Sequence, residues 1–446
     1  VRVLEALDYR SAGTVEFLWD DIDRSYYLLE VNARLQVEHG VTEEVFGVDL
    51  VEWMVRLGAG ELDDLESKRS GFTASGNAIE ARIYAEDPHR DFQPSTGLIT
   101  EFREPSNARC ETGISTGDEV SGYYDPMVAK IIVHGENRDS AIDGLATALD
   151  EFACHGIETN RLYVIEALAT KNFRDEILST KLTQSIDYRP SSIDVMDAGM
   201  QTTVQDYPGR VGMWDVGVPP SGPFDSLSFR LGNRILGNEE SAAGLEMLIR
   251  GAKLRFHYAT RFCLTGADCA ATLDEEPIAV GEAIEVAAGQ VLKTGTIFGA
   301  GQRAYLLIEG GIDVPLYLNS RSTFRMGRFG GHGGRALLPG DVLHAGKCIS
   351  PETTSAATVP EALMPKLVNQ WDLRVTYGPH AAPEFFTPAD IEMFFGTDWE
   401  IHYNSDRTGV RLIGPKPEWA RRDGGEAGLH PSNIHDNAYT VGSVDF

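Results

Sequence analysis

The sequence predicts an α+β chain of several domains, and three observations predict it. At 446 residues the chain is long enough for two or three hydrophobic cores. Up to residue 186, period-two segments alternate with amphipathic helical ones. Beyond residue 200, helices give way to short strands and glycine-rich turns, the texture of a barrel or sandwich.

In chain order, "GTVEFLW" and "YYLLEVNARL" are alternating segments joined by the polar "DDIDRS", a hairpin over residues 13–38. With Trp19 facing Tyr27, its register places Glu16 opposite Glu30. The stretch "GVDLVEWMVRLGAGE" is an amphipathic helix with glycine at its end. "GNAIEARIYAED" is a strand with Glu80, Arg82 and Tyr84 on one face and Ile79, Ala81 and Ile83 on the other. "RDSAIDGLATALDEF" and "NRLYVIEALATKNFR" read as helices. Residues 187–200 read as a linker, followed by a β-rich unit over 201–350 that one helix, "SLSFRLGNRILG", interrupts. The Ser/Thr/Ala/Pro stretch "SPETTSAATVPEALMP" marks a second linker, 351–370, before a second β-rich unit over 371–446.

Sixty-seven acidic against 39 basic residues give a formal charge of -28, which argues against nucleic acid or an anionic membrane as main partner. Five scattered cysteines without a CxxC pair argue against a disulfide framework or structural zinc and for a reducing, cytoplasmic setting. No signal peptide and no bilayer-length apolar run is evident. The chain opens on Val1 inside a patterned segment and closes on the strand-like "AYTVGSVDF", so it reads as a fragment.

The series Glu30, Asn32, Arg34, Gln36, Glu38 alternates with aliphatic residues. An alternating strand is ordinarily a solvated face with cross-strand ion pairs. Here two acids and an amide share one patch, and carboxylates on adjacent strands repel unless something positive lies between them. Glu16, Glu30 and Asn32 are an all-oxygen set suited to Mg²⁺ or Mn²⁺ bridging nucleotide phosphates. Arg34 can bind an oxyanion bidentately, and Glu38 can act as a base if Arg34 and the anion hold it. The aliphatic side is expected to anchor this floor to a core. Arg82 is a lone cation between Glu80 and Glu86, either in a plain salt bridge or at a reacting centre.

Those motifs, with "FQPSTGLITEF" and "YYDPMVAKIIVHGENRDSAI", resemble the C-terminal half of a biotin carboxylase, an ATP-grasp enzyme, across residues 1–186 (the C-terminal part of the ATP-grasp and the C-terminal subdomain). The resemblance implies that Glu16 and Glu30 hold the metal ions on ATP with Asn32 assisting. It implies that Arg34 binds bicarbonate, that Glu38 removes its proton, and that Arg82 stabilises the biotin enolate. Asp125, a turn former in "GYYDPMVAK", would support the biotin pocket. In such enzymes the glycine-rich lid and the ATP- and bicarbonate-binding lysines lie upstream. No "MKM"-type biotinyl-lysine motif occurs in the chain, so biotin belongs to a separate carrier domain and the fragment is expected not to turn over alone.

The motifs "TTVQDYPGRVGMWDVGVPPSGPFD", "FRLGNRILGN", "GGIDVPLYLNSRST", "NSDRTGVRL" and "LHPSNIHDNAYTVGSVDF" resemble the carboxyltransferase of urea carboxylase, a cyclophilin-like domain also called allophanate hydrolase subunit two. The implied chemistry uses ATP, bicarbonate and biotin to convert urea to allophanate, in an enzyme expected to be a homo-oligomer when complete. Urea offers one carbonyl and N–H bonds, so its site needs acceptors and a donor. The polar loops provide candidates: Gln205, Asp206, Ser221, Asp225, Arg407, His430, Ser432, Asn433, His435 and Asn437. Several have bland readings. Asp206 suits a turn, Asp225 a helix N-cap, Arg407 a surface hairpin, and His435 a satisfied structural histidine. Rival readings are a guanidine carboxylase, an amide hydrolase of oxoprolinase type, and a partner-binding accessory protein of kinase-inhibitor type.

Overall fold

The computed structural model describes residues 6, 8–20, 22–62, 71–175, 183, 186, 188–346, 361–378, 380–421 and 442–444. Strands Thr14–Asp20 and Ser25–Asn32 form the acidic hairpin, and Glu16 does face Glu30. The route to that register differs from the expected one. Trp19 pairs with Tyr26, and a bulge between Glu16 and Phe17 takes up the extra residue on the partner strand. The second strand stops at Asn32, so Arg34, Gln36 and Glu38 lie in a loop that enters the helix His39–Phe46. The aliphatic side is not anchored as expected. Leu29 and Val31 on that side are exposed, and so are the adjacent Leu18 and Trp19, which lie on opposite faces of their strand.

Strands Asn77–Tyr84, Met127–Gly135 and Arg109–Glu111 make a three-stranded antiparallel sheet with Met127–Gly135 in the middle. One face carries Ile83, Ile131 and Val133 into a core with Ile142, Leu145, Leu149 and Phe152. The helix Arg138–Glu151 closes that core with buried residues at 141, 142, 145, 148 and 149, the spacing of a helical stripe. Its start is fixed by a capping box between Asn137 and Ser140. The opposite face is polar, bearing Glu80, Arg82, Lys130 and Glu111, and the helix His39–Phe46 lies across it. Gly40 lets that helix approach: a Cβ there would stand 2.3 Å from Ile132 Cδ1.

In the second half, a seven-stranded antiparallel sheet runs in the order Glu276–Pro277, Thr272–Leu273, Val291–Lys293, Lys253–Phe256, Ser192–Asp197, Val342–Ala345, Ile312–Asp313. Ser192–Asp197 therefore corrects the expected linker at 187–200. Ile193 and Val195 are buried in the core, and neighbouring strands pair with it on both edges. A five-stranded sheet follows the order Gln201–Gln205, Gly244–Leu248, Arg303–Ile308, Thr260–Gly266, Ala283–Val286. Phe262, Leu264, Leu306 and Ile308 share the main core with the seven-stranded sheet. Cys263, Tyr305 and Leu307 alternate to the other face, against Phe229 and Leu236 of the helix Ser226–Leu236.

The unit expected to be β-rich over 371–446 is less so among its described residues. It holds the helix Pro388–Gly396 and a hairpin of the two-residue strands Glu400–Ile401 and Leu412–Ile413. The alternating Leu373, Val375 and Tyr377 form no strand and are exposed, since no neighbouring strand covers them. Of the second linker, residues 351–360 lie outside the described residues, and Glu361–Leu363 is a single 3₁₀ turn.

Candidate functional site

The acidic hairpin brings the first candidate set together. Asn32 Nδ2 donates to Glu16 Oε1 at 2.8 Å and to Glu30 Oε1 at 2.9 Å, and Gln36 Nε2 donates to Glu16 Oε1 at 3.2 Å. Two carboxylates thus converge on one amide. The donor set fits a hard divalent cation, because Asn32 can present its oxygen as readily as its nitrogen. Arg34 is held by its own loop, with Nη1 3.3 Å from both the Leu35 carbonyl and Gln36 Oε1.

The cation that meets Glu38 is Arg82 rather than the expected Arg34: Arg82 Nη2 donates to Glu38 Oε2 at 2.5 Å. Glu38 occupies the N-cap of the helix His39–Phe46 without capping it through its side chain, which leaves the carboxylate free for Arg82. Asp125 behaves as a turn residue, its Oδ1 accepting from the Met127 amide at 2.9 Å, and it lies beside the exposed Tyr123 and Tyr124. Burial pushes the Glu80 carboxyl up, against the opposing pull of Lys130 and Arg82. Glu111 goes the other way: hydrogen bonds from Lys130 and Arg109 outweigh its burial and lower it.

In the second half, Asp206 is buried and held by three hydrogen bonds. Its carboxylate accepts from Ser320 Oγ at 2.6 Å, Ser322 Oγ at 2.5 Å and the Arg321 amide at 2.8 Å. It fastens the loop at 320–322, with three of the carboxylate's roughly four acceptor positions taken. Beside it Arg210 is 1% exposed, donating from Nε to the Tyr317 carbonyl and from Nη2 to the Ser322 carbonyl. Burial lowers its pKa while Asp206 opposes that shift. Gln205 donates to Thr203 Oγ1 at 3.0 Å and keeps its buried Oε1 without a protein partner.

Asp225 caps the helix Ser226–Leu236, accepting from the Ser228 amide at 3.0 Å. Its own amide donates to Tyr305 Oη at 2.7 Å. Ser221, at φ 56°, keeps a buried Oγ without a protein partner. Arg407 is not a free surface arginine. It spans from the hairpin at 400–413 to the Gly222 carbonyl and the Glu246 carboxylate. Glu246 is the hub there, also accepting from the Phe224 amide at 2.7 Å, Tyr305 Oη at 3.1 Å and Arg303 Nε at 3.3 Å. Arg407 directly, and the Asp225 amide through Tyr305, therefore meet at one buried carboxylate, and Ser221 precedes the Gly222 whose carbonyl Arg407 also holds. His430, Ser432, Asn433, His435 and Asn437 lie outside the described residues.

Three families match the chain in succession. Carbamoyl-phosphate synthase L chain, ATP binding domain, matches residues 1–66; Biotin carboxylase C-terminal domain matches 80–185; Carboxyltransferase domain, subdomain A and B, matches 216–446. The chain is 48% identical over 451 residues to the urea amidolyase of Lachancea kluyveri, covering 99% of this chain and 24% of that protein. The crystal structure of the Kluyveromyces lactis urea carboxylase superposes with a TM-score of 0.93 at 48% identity, covering 99% of this chain and 40% of that one. The chain belongs to the carboxyltransferase domain family, whose model spans more than half of it. It spans about a quarter of the length of the curated urea amidolyases it matches. Among the described residues, no helix is long and apolar enough to cross a membrane.

The sequence reading passed over several polar residues of both sites. Gln36 stands in the same even-numbered series as Glu30 and Glu38 and was legible there. Glu246 is a lone acid in the apolar strand "GLEML", which is a signal in itself. Lys130 gives the same kind of signal in "MVAKIIV", whereas Glu111 carries none locally and gains its importance from strand register.

Proposed function

We propose that this chain is the part of a cytoplasmic, biotin-dependent urea carboxylase that couples ATP-driven carboxylation of biotin to carboxyl transfer onto urea, giving allophanate. What supports this most is the hairpin cluster of Glu16, Glu30 and Asn32 beside the Glu38–Arg82 pair, in one chain with a carboxyltransferase unit. Glu16, Glu30 and Asn32 would hold Mg²⁺ or Mn²⁺, which supplies positive charge to nucleotide phosphate. Biotin, on a carrier domain, supplies the nitrogen that takes up and passes on the carboxyl group. Arg34 binds bicarbonate, and Glu38 takes its proton. Arg82 orients Glu38 and presents a cation to the biotin carbonyl oxygen, with Asp125 shaping the nearby turn.

In the second half the substrate-facing groups are Ser221, Gln205 and Arg407, together with His430, Ser432, Asn433, His435 and Asn437. Asp206 and Asp225 serve them as supports. The test uses the complete enzyme, reading ADP release and carboxylated product together. ADP release should require bicarbonate and a divalent cation. The product should form with a higher kcat/KM from urea than from guanidinium, whose positive charge would call for a further carboxylate. ADP release indifferent to bicarbonate would sink the reading, and a guanidinium preference would reassign the acceptor.

A further inference from the structure

Beneath the Glu38–Arg82 pair lies a buried ionic layer that none of the roles above uses. Strand register builds it, placing Lys130 beside Arg82 on one side and Glu111 on the other. The Lys130 side chain is 9% exposed. An ammonium in such a place costs several kcal/mol of desolvation unless it is paired. Two groups meet it directly: the Glu111 carboxylate, in an ion pair, and the Val37 carbonyl, which accepts from Nζ at 2.9 Å. Val37 immediately precedes Glu38.

The surroundings explain why that one carbonyl matters. Residues 33–38 form no strand or helix, so ladder hydrogen bonds do not hold them. The segment is fixed downstream, where the helix His39–Phe46 seats Gly40 on Ile132, and upstream by the hairpin. Between those ends Lys130 reaches up from the sheet. Glu80 completes the layer: its side chain is 4% exposed, both carboxylate oxygens lack a hydrogen-bond partner, and Oε1 stands 3.7 Å from Arg82 Nε. Arg82 is thus drawn from below by Glu80 and from above by Glu38, while Lys130 sets the height of the loop that carries Glu38.

We propose that Lys130 is a positioning residue for the bicarbonate step: by holding the Val37 carbonyl it fixes the loop bearing Arg34, Gln36 and Glu38 against the Arg82 strand. This rests on the reading of that loop as the carboxylation site. A loop released by a fraction of an ångström misplaces both the anion-binding arginine and the base; the metal ligands stay on the hairpin, where Glu16 loses the contact from Gln36 and keeps the one from Asn32.

The experiment uses the complete enzyme with Lys130→Met, which keeps the stem and removes the donor, and Lys130→Arg, which keeps a donor on a bulkier head. Steady-state ATP cleavage is measured against bicarbonate and against MgATP, with the unfolding midpoint recorded for each variant. Lys130→Met should lower kcat/KM for bicarbonate by ~10-fold or more while KM for MgATP stays within about twofold. Lys130→Arg should lose selectively for bicarbonate too, by less. Glu111→Gln removes the ion pair but not the grip on Val37; it should lower the midpoint more than it lowers kcat/KM for bicarbonate. Proportional losses for both substrates, in Lys130→Met or in Lys130→Arg if the first does not fold, would overturn the proposal, as would no loss. A parent enzyme whose ATP cleavage ignores bicarbonate would overturn the reading beneath it, a result visible before any variant is made.

Discussion

Glu16 and Glu30 face each other across the hairpin, and the Asn32 amide, 2.8 and 2.9 Å from them, is what stands between two like charges. Glu30→Gln removes one charge and keeps the shape. In the complete enzyme it should cut bicarbonate-dependent ATP cleavage by ~100-fold or more, since a metal site loses several kcal/mol of charge stabilisation. An unaltered Mg²⁺ requirement with most activity retained would exclude Glu30 as a ligand. Asp206 leads to a different expectation. Asp206→Ala orphans two hydroxyls and an amide and leaves the buried Arg210 without its carboxylate neighbour. It should destabilise the fold by about 3 kcal/mol or more, read from the denaturant midpoint. A variant of normal stability that had lost only urea-dependent turnover would return Asp206 to the substrate site. These two acids mark what single residues disclose. The Glu30 series was legible because its pattern is local. The hydrogen bonds that bury Asp206 have no local pattern, because Ser320 to Ser322 lie far along the chain.

The helix Ser226–Leu236 was legible from its apolar spacing, and its boundaries follow from the Asp225 cap and Gly237 at φ 76°. Asp225→Ala should cost about 1 kcal/mol, the worth of one N-cap. The Asp225 main-chain N–H, which the substitution keeps, donates to Tyr305 beside Glu246; loosening the helix start should shift that contact and lower acceptor turnover while ATP cleavage holds. Equal losses in both reactions would place the helix outside the acceptor site. The strand Ser192–Asp197 was missed for the opposite reason. It is six residues long, flanked by Pro190 and Gly199, and its two inward residues, Ile193 and Val195, are too few to show a period. The hairpin bulge was hidden as well. Alternation fixes which residues share a face, but not where one strand carries an extra residue.

The two halves of the chain, told apart in the sequence by texture alone, meet at contacts the sequence could not announce. Arg90 Nη2 lies 2.6 Å from Asp194 Oδ1, and His89 Nε2 lies 2.7 Å from His257 Nδ1. His344 Nε2 lies 2.9 Å from Glu158 Oε2. Arg90, Glu158 and His344 line an open cleft of about 1410 Å³. Such a joint responds to pH in two senses. Burial disfavours a charged His344, but the Glu158 carboxylate outweighs it and raises the imidazole above its ordinary value. That contribution is complete below the unfolded value of about 6.5 and is lost as pH rises through the raised folded value. His89 is lowered by burial and by His257, so its contribution is present at higher pH and is lost as pH falls through the lowered folded value. Glu158→Gln isolates the first. Near pH 6 it should lower stability by about 1.5–3 kcal/mol, the worth of a hydrogen bond to a charged group. Towards about pH 9 the difference from the parent should narrow, because the neutral ring no longer needs the charge. Glu158 also raises the Asp87 carboxyl, after burial, and Tyr188 likewise after burial. Burial is the larger cause of both shifts, and the trend that Glu158→Gln reads is that of the His344 imidazole. Thermal unfolding of parent and variant over that range is the measurement. A gap that does not change with pH would mean that the Glu158 contact joins the halves through shape and neutral hydrogen bonding instead.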